Sequence, residues 1–214
     1  MEQYVEDSPQ FWEDIYLADE AGWDLGGPTP IFKSMAGELN PGKLCILGCG
    51  KGYDAVQFSR NGFDVTAVDF SRTAILSLEK LAGPANVHLN IIQDDIFSLS
   101  QKYKNTFDYV LEQTCFCAIN PKRRNEYERL VYSLLKSQGR LIGLWFPLDK
   151  SPDKGGPPFG TTVSEVKHIF RGSWDVEIEE FPELSVAPRK GREKLIIFRK
   201  NNKGANYELP VAKM

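Results

Sequence analysis

Histidine and cysteine are scarce in this 214-residue chain, which has two histidines, His88 and His168, and four cysteines, Cys45, Cys49, Cys115 and Cys117. No two cysteines stand as C-x-x-C, so the chain yields neither a zinc site nor a disulfide framework. The thiols read instead as buried and reduced. Long apolar runs are also missing. The longest, such as Leu141 to Phe146, extend about six residues, whereas a membrane-spanning helix needs about twenty. Positive charge is not in excess: 26 Lys and Arg stand against 29 Asp and Glu, for a net −3. Binding to a phosphate backbone calls for a basic surface, so nucleic acid is not an expected partner, and neither is a membrane. The opening residues, MEQYVEDSPQ, are acidic where a secretory leader is basic and then apolar. The expected location is therefore cytoplasmic.

The remaining composition is that of an ordinary globular chain, 42% hydrophobic and 26% charged, which excludes global disorder. From residue 41 onward strand-like and helix-like stretches alternate. Residues 44–48, 64–69, 87–92, 107–112 and 139–146 read as strands, and 53–60, 73–82, 122–137 and 163–170 as helices, with Ser71 as an N-cap. Residues 174–181 and 194–199 read as a closing pair of strands. Such alternation predicts an α/β fold, a mostly parallel sheet with helices on both faces and one antiparallel strand at its edge. Residues 1–40 read as an N-terminal flap, 41–200 as the catalytic-type domain and 201–214 as a flexible tail. Within the flap, Ser8-Pro9 starts a short helix carrying Phe11, Trp12, Ile15 and Tyr16, and a glycine- and proline-rich loop with Trp23 follows.

The strongest local signal is Gly48-Cys49-Gly50-Lys51-Gly52, placed between a strand and a helix. Glycines there allow a tight turn and let a ligand approach bare backbone at a helix N-terminus. Asp69 ends the next strand, where a carboxylate can take the two hydroxyls of a ribose. Asp94 and Asp95 follow the third strand and precede Ile96 and Phe97, acids beside apolar residues, suited to the amino group and ring of adenine. Glu112 and Gln113 end the fourth. All stand at carboxyl ends of strands, where open α/β sheets bind ligands. The pattern points to an adenosine-bearing ligand. Tyr53 occupies the place of the third glycine of a dinucleotide fingerprint, which weighs against a pyrophosphate clamp, and no phosphate-binding Gly-Lys-Ser/Thr is present.

With these residues in order, the chain resembles the S-adenosylmethionine-dependent methyltransferases of the thiopurine S-methyltransferase superfamily, and within it the thiol, thiocyanate and halide methyltransferases. The resemblance runs over roughly residues 10–200. Further stretches that carry it are Thr114 to Ile119, Gly155-Gly156-Pro157-Pro158 and Pro188 to Lys194. It implies a Rossmann-like seven-stranded sheet whose last strand is antiparallel. It also implies that Gly48, Cys49 and Gly50 cradle the methionine part of S-adenosylmethionine, Asp69 binds the ribose, and Asp95 and Ile96 frame the adenine. Glu112 and Gln113 would lie near the sulfonium, and Trp12 and Trp23 would form a lid over cofactor and acceptor. Relatives commonly carry Tyr after Gly-Gly-Pro-Pro, near the acceptor, where this chain has Phe159.

Methyl transfer from a sulfonium to a soft anion is an in-line displacement governed by proximity and alignment. It needs no general base, so no catalytic residue beyond positioning groups is expected, and no metal. Phe159, Trp12, Trp23 and Arg189 are the candidate acceptor-pocket residues, with Arg189 attracting an anion. The expected partner is a small-molecule acceptor, and the chain a monomer or weak homodimer. A nicotinamide-dependent oxidoreductase on a similar sheet and a non-enzymatic cofactor-binding protein are the competing readings.

Overall fold

The computed structural model of the chain describes residues 5–201. Residues 1–4 of the flap and 202–214 of the expected tail lie outside them. Asn201 itself is anchored, its N–H donating to Ser173 O at 2.8 Å.

Seven strands form one sheet: β1 Lys43–Leu47, β2 Asp64–Asp69, β3 Leu89–Gln93, β4 Phe107–Gln113, β5 Leu135–Trp145, β6 Trp174–Glu180 and β7 Lys194–Lys200. Their order is β3-β2-β1-β4-β5-β7-β6. The first five pair in parallel, and β7 runs antiparallel to both β5 and β6. The antiparallel strand is therefore not at the edge, as the hairpin pattern suggests. β7 inserts between β5 and β6, and β6 forms the edge. The 13-residue connection between β6 and β7 leaves room for this, and the apolar Leu195-Ile196-Ile197-Phe198 run suits an interior strand buried on both faces.

The helices are α1 Pro9–Leu17, α2 Pro30–Glu38, α3 Tyr53–Arg60, α4 Arg72–Ala85, α5 Leu99–Lys102, α6 Arg124–Leu134 and α7 Val163–Ile169. Alternate residues of each central strand enter opposite cores. Leu44 and Ile46 pack with α2, α3 and α4, whereas Cys45 and Leu47 share the other face with α5, α6 and α7. α6 stops at Leu134, three residues short of the expected end. The ammonium of Lys200 on β7 donates to Tyr132 O and Leu135 O, both at 2.7 Å, and satisfies carbonyls at the helix end. The chain leaves extended into β5. α2 goes beyond the sequence reading. Thr29-Pro30 starts it as Ser8-Pro9 starts α1, each with proline in the first turn, where its missing N–H costs nothing.

Candidate functional site

The carboxyl ends of β1, β2, β3, β4 and β5 point the same way, because those strands are parallel. β7 is antiparallel, and its first residue pairs with the last of β5, Lys194 with Trp145. The segment just before β7, which carries Arg189, thus reaches the same edge. α1 and the loop after it close over this edge and bound a cavity of about 540 Å³.

The wall at the end of β1 is the glycine bend. Gly52 has φ +79°, and a Cβ there would lie 2.1 Å from Leu78 of α4, so only glycine turns the chain into α3. Gly50 has φ +53°, and its missing Cβ would sit 3.0 Å from the Tyr16 hydroxyl of α1. α1 thus packs directly on bare backbone. Asp69, at the end of β2, is buried. Its Oδ1 accepts from Ser71 N–H and its Oδ2 from Gly50 N–H, both at 2.9 Å. A carboxylate offers about four acceptor sites, so these backbone donors leave it capacity for a ligand donor. Burial pushes the Asp69 carboxyl up to about 6.

Asp95 lines the cavity and accepts from Phe97 N–H at 3.0 Å, while Ile96 is buried beside it. Asp94 does not line the cavity. Its carboxylate caps the same turn through Asp95 N–H and Ser98 Oγ. The Arg123 guanidinium lies 3.9 Å over the Phe97 ring and pairs with Asp7 at 2.6 Å, which closes this end. The roof is aromatic. Trp12 and Trp23 meet edge to face at 5.5 Å, Tyr16 and Trp23 at 5.7 Å. The Trp12 indole N–H donates to Glu6 O at 2.8 Å.

A smaller annex of about 70 Å³ adjoins the cavity beyond Gly48 and is lined by Cys49, Gly50 and Gln113. Thr29 Oγ1 lies 2.9 Å from Asp54 Oδ2 and 2.8 Å from Gln113 Oε1, and one hydroxyl proton serves one acceptor at a time. The Gln113 amide nitrogen is buried without a hydrogen-bond partner among the described residues. Burial pushes the Asp54 carboxyl up to about 6.

Phe146, Pro157, Pro158, Pro188 and Arg189 complete the lining of the main cavity. Arg189 is buried, and its Nη2 donates to Trp23 O at 2.8 Å. Its Nη1 has no hydrogen-bond partner among the described residues, with the Glu193 carboxylate 4.0 Å away. Burial lowers its pKa from the usual arginine value.

Two residues expected at the site line neither the cavity nor the annex. Glu112 lies beneath the floor, its carboxylate taken by Cys115 N–H, Phe116 N–H and, at 2.5 Å, the Tyr127 hydroxyl. Burial pushes it up to about 7. It shapes the Thr114–Ile119 loop from behind, because its position on β4 directs it into the core. Phe159 is also buried away from the cavity, its N–H donating to Cys117 O at 2.7 Å, and Pro157 and Pro158 face the cavity instead. The other expected residues (Trp12, Trp23, Gly48, Cys49, Gly50, Asp69, Asp95, Ile96, Gln113 and Arg189) all line the cavity or its annex. Neither histidine lines either one. Cys115 and Cys117 do line the cavity, and burial raises both thiols, Cys117 to about 12. The sequence names Tyr16 only as part of the flap helix and does not single out Phe146 or Arg123, which stand just after β5 and just before α6.

A model of the thiopurine S-methyltransferase family matches residues 7–203. A probable thiol methyltransferase 2 of Arabidopsis thaliana is 35% identical over 203 residues, covering 92% of this chain and 88% of that protein. Thiocyanate methyltransferase 1 of Brassica oleracea is 32% identical over 89% of this chain and 85% of its own length. Among solved structures, the Burkholderia thailandensis 1,6-didemethyltoxoflavin-N1-methyltransferase, with its ligand and S-adenosylhomocysteine bound, superposes with a TM-score of 0.72. It is 18% identical and covers 91% of this chain and 87% of that one, a likeness of fold. The chain belongs to the thiopurine S-methyltransferase family. It is an S-adenosylmethionine-dependent methyltransferase, and the oxidoreductase and non-enzymatic readings are not favoured.

Proposed function

We propose that the enzyme methylates a small, soft, anionic nucleophile, with a thiolate as the leading acceptor class. The observation that carries this is Arg189. It is a buried cation on an apolar wall, and its Nη1 has no hydrogen-bond partner among the described residues, with only the Glu193 carboxylate 4.0 Å away. Its positive charge favours the ionised form of an acceptor bound there. A thiol with a pKa of about 8.5 is already a few per cent thiolate near neutrality, and a nearby cation raises that share. Bound S-adenosylmethionine supplies an electrophilic methyl group on a good leaving group.

The residues present fit that cofactor. Asp69 keeps acceptor capacity for a ribose hydroxyl, and Asp95 with Ile96 lines the cavity where the adenine would lie. The Gln113 amide nitrogen, without a hydrogen-bond partner among the described residues, suits the polar amino-acid end, in the annex beside Gly48, Cys49 and Gly50. Trp12 and Trp23 act as a lid that excludes water from cofactor and acceptor. Catalysis then rests on alignment rather than on a proton-transfer residue. A cavity of about 540 Å³ that must also hold the cofactor leaves space for a small acceptor only. Nucleic acid is not a substrate in this reading. The enzyme works in the cytosol, in keeping with its four free cysteines, as a monomer or weak homodimer. No helix among the described residues is long and apolar enough to cross a membrane.

A panel of acceptors with labelled methyl donor tests the reading: thiophenol, bisulfide, thiocyanate, iodide, a thiopurine, and phenol as the hard counterpart. Turnover is expected with thiolates and absent with phenol. Arg189→Met should lower kcat/KM for the best anion about 100-fold, or about 2.7 kcal/mol. Equal turnover of phenol and thiophenol would overturn the proposal.

A further inference from the structure

The carboxylate of Glu13, in the middle of α1, reaches across to the N-terminus of α4. Its Oε2 accepts from Ser71 Oγ at 2.7 Å and from Thr73 N–H at 3.0 Å, and its Oε1 from Thr73 Oγ1 at 2.6 Å. An acid at that place also meets the positive end of the α4 dipole. Ser71 has a second connection, because its own N–H donates to Asp69 Oδ1 at 2.9 Å. Asp69 Oδ2 in turn holds Gly50 N–H at 2.9 Å. One continuous line of hydrogen bonds therefore runs from α1 through Ser71 and Asp69 to the glycine bend.

The neighbours of Glu13 give that line a consequence. Trp12 and Tyr16 of α1 roof the cavity, and the Tyr16 hydroxyl sits 3.0 Å from where a Gly50 Cβ would be. α1 therefore forms one side of the cavity, and its seating narrows the way in and out of the Asp69 site. The remaining polar ties of the N-terminal segment go elsewhere. Asp7 pairs with Arg123 at 2.6 Å, Asp24 with Lys51 at 2.7 Å, and Trp23 O accepts from Arg189. Asp24 thus reaches the glycine bend, and among these ties Glu13 alone reaches the N-terminus of α4, where Ser71 N–H holds the other oxygen of Asp69.

We infer that Glu13 is a positioning residue, a latch that couples seating of α1 to occupancy of the Asp69 site. The inference rests on the reading that Asp69 holds the cofactor ribose. With the latch made, Ser71 fixes both carboxylates, so a ligand on Asp69 favours seated α1 and seated α1 slows ligand escape. The coupling is reciprocal, as linkage requires. Glu13 lines neither the cavity nor the annex, so it does not set acceptor specificity.

The test uses the full chain and S-adenosylhomocysteine. Its dissociation is followed by stopped-flow tryptophan fluorescence in the wild type, Glu13→Gln and Thr73→Val. Hydrogen exchange of residues 9–17 is measured with and without that ligand. Both variants should release the ligand about tenfold faster, and ligand-induced protection of α1 should shrink, with the acceptor KM unchanged. Glu13→Asp, which keeps the charge, should recover part of the slow release. A release rate in both variants equal to wild type, with α1 still protected by ligand, would overturn the latch and leave the Asp69 reading standing. If Asp69→Ala bound the ligand as tightly as wild type, the Asp69 reading would fail and the latch with it.

Discussion

The sheet and the N-terminal segment are held in place by different forces. In the sheet, Leu44, Val110, Leu141, Ile196 and Phe198 are buried on apolar faces and every central strand pairs on both sides. Residues 5–27 instead rest on ring contacts and on a few polar ties to Arg123, Ser71, Thr73, Lys51 and Arg189. Apolar burial of the first kind is cooperative, and its loss is felt as global unfolding. Ties of the second kind make and break locally, at a small fraction of the global free energy. The division suits an enzyme that must keep a fixed floor while letting a ligand the size of its cavity come and go. Stability belongs to one region and exchange to the other.

The sharpest way to break the comparison is a substitution deep in the sheet. Phe198→Ala removes a ring that stacks on Phe170 at 5.0 Å and touches Trp145 and Trp174. It should cost about 3–5 kcal/mol in denaturant unfolding, while the folded protein still binds S-adenosylhomocysteine normally. Trp12→Ala should do the reverse. Ligand affinity by calorimetry is expected to fall about tenfold, or 1.4 kcal/mol, with a smaller change in unfolding free energy. If Trp12→Ala proved as destabilising as Phe198→Ala, the two regions would not differ as argued.

A smaller effect sharpens the comparison from beneath the floor. Glu112 is pushed up to about 7 by burial, above the ordinary glutamic value. The folded chain therefore keeps a proton that the unfolded chain releases. Such a group contributes stability that is present at acid pH and is lost as pH rises through about 7. Relative to Glu112→Gln, the wild type should gain about 1 kcal/mol in unfolding free energy as pH falls from about 8 to about 6. A difference between the two proteins that stays flat across that range would show that Glu112 does not titrate there.

The parts of the site legible in the sequence are those whose chemistry is local. Gly48 to Gly52 turn a strand into a helix, and Asp69 and Asp95 end strands, so spacing along the chain suffices to place them. Ser8-Pro9 announces α1 by the same local logic, and Thr29-Pro30 carries an equal signal for α2. What the sequence does not show depends on contacts distant in the chain. Glu112 reads as a site residue until its position on β4 is seen to send it toward Tyr127. Phe159 stands beside the residues that line the cavity and still turns inward. α6 stops early because Lys200, 65 residues beyond Leu135, takes its last carbonyls. The place of β7 inside the sheet depends on which strand β5 accepts as a neighbour, and a hairpin pattern is silent on that. Glu13 is an unremarkable surface-type acid until α4 is brought against it.

The central claim is that the buried carboxylate at the end of β2 holds the cofactor within this cavity. Calorimetric titration of wild type and Asp69→Ala with S-adenosylhomocysteine, at pH of about 7.5 and about 5.5, tests it most directly. The wild type should bind one equivalent, and more weakly at the lower pH, because a proton then competes for a carboxyl whose pKa is about 6. The variant should bind about 100-fold more weakly at the higher pH and lose that pH dependence. Equal affinity in the two proteins, with the same response to pH, would contradict the account.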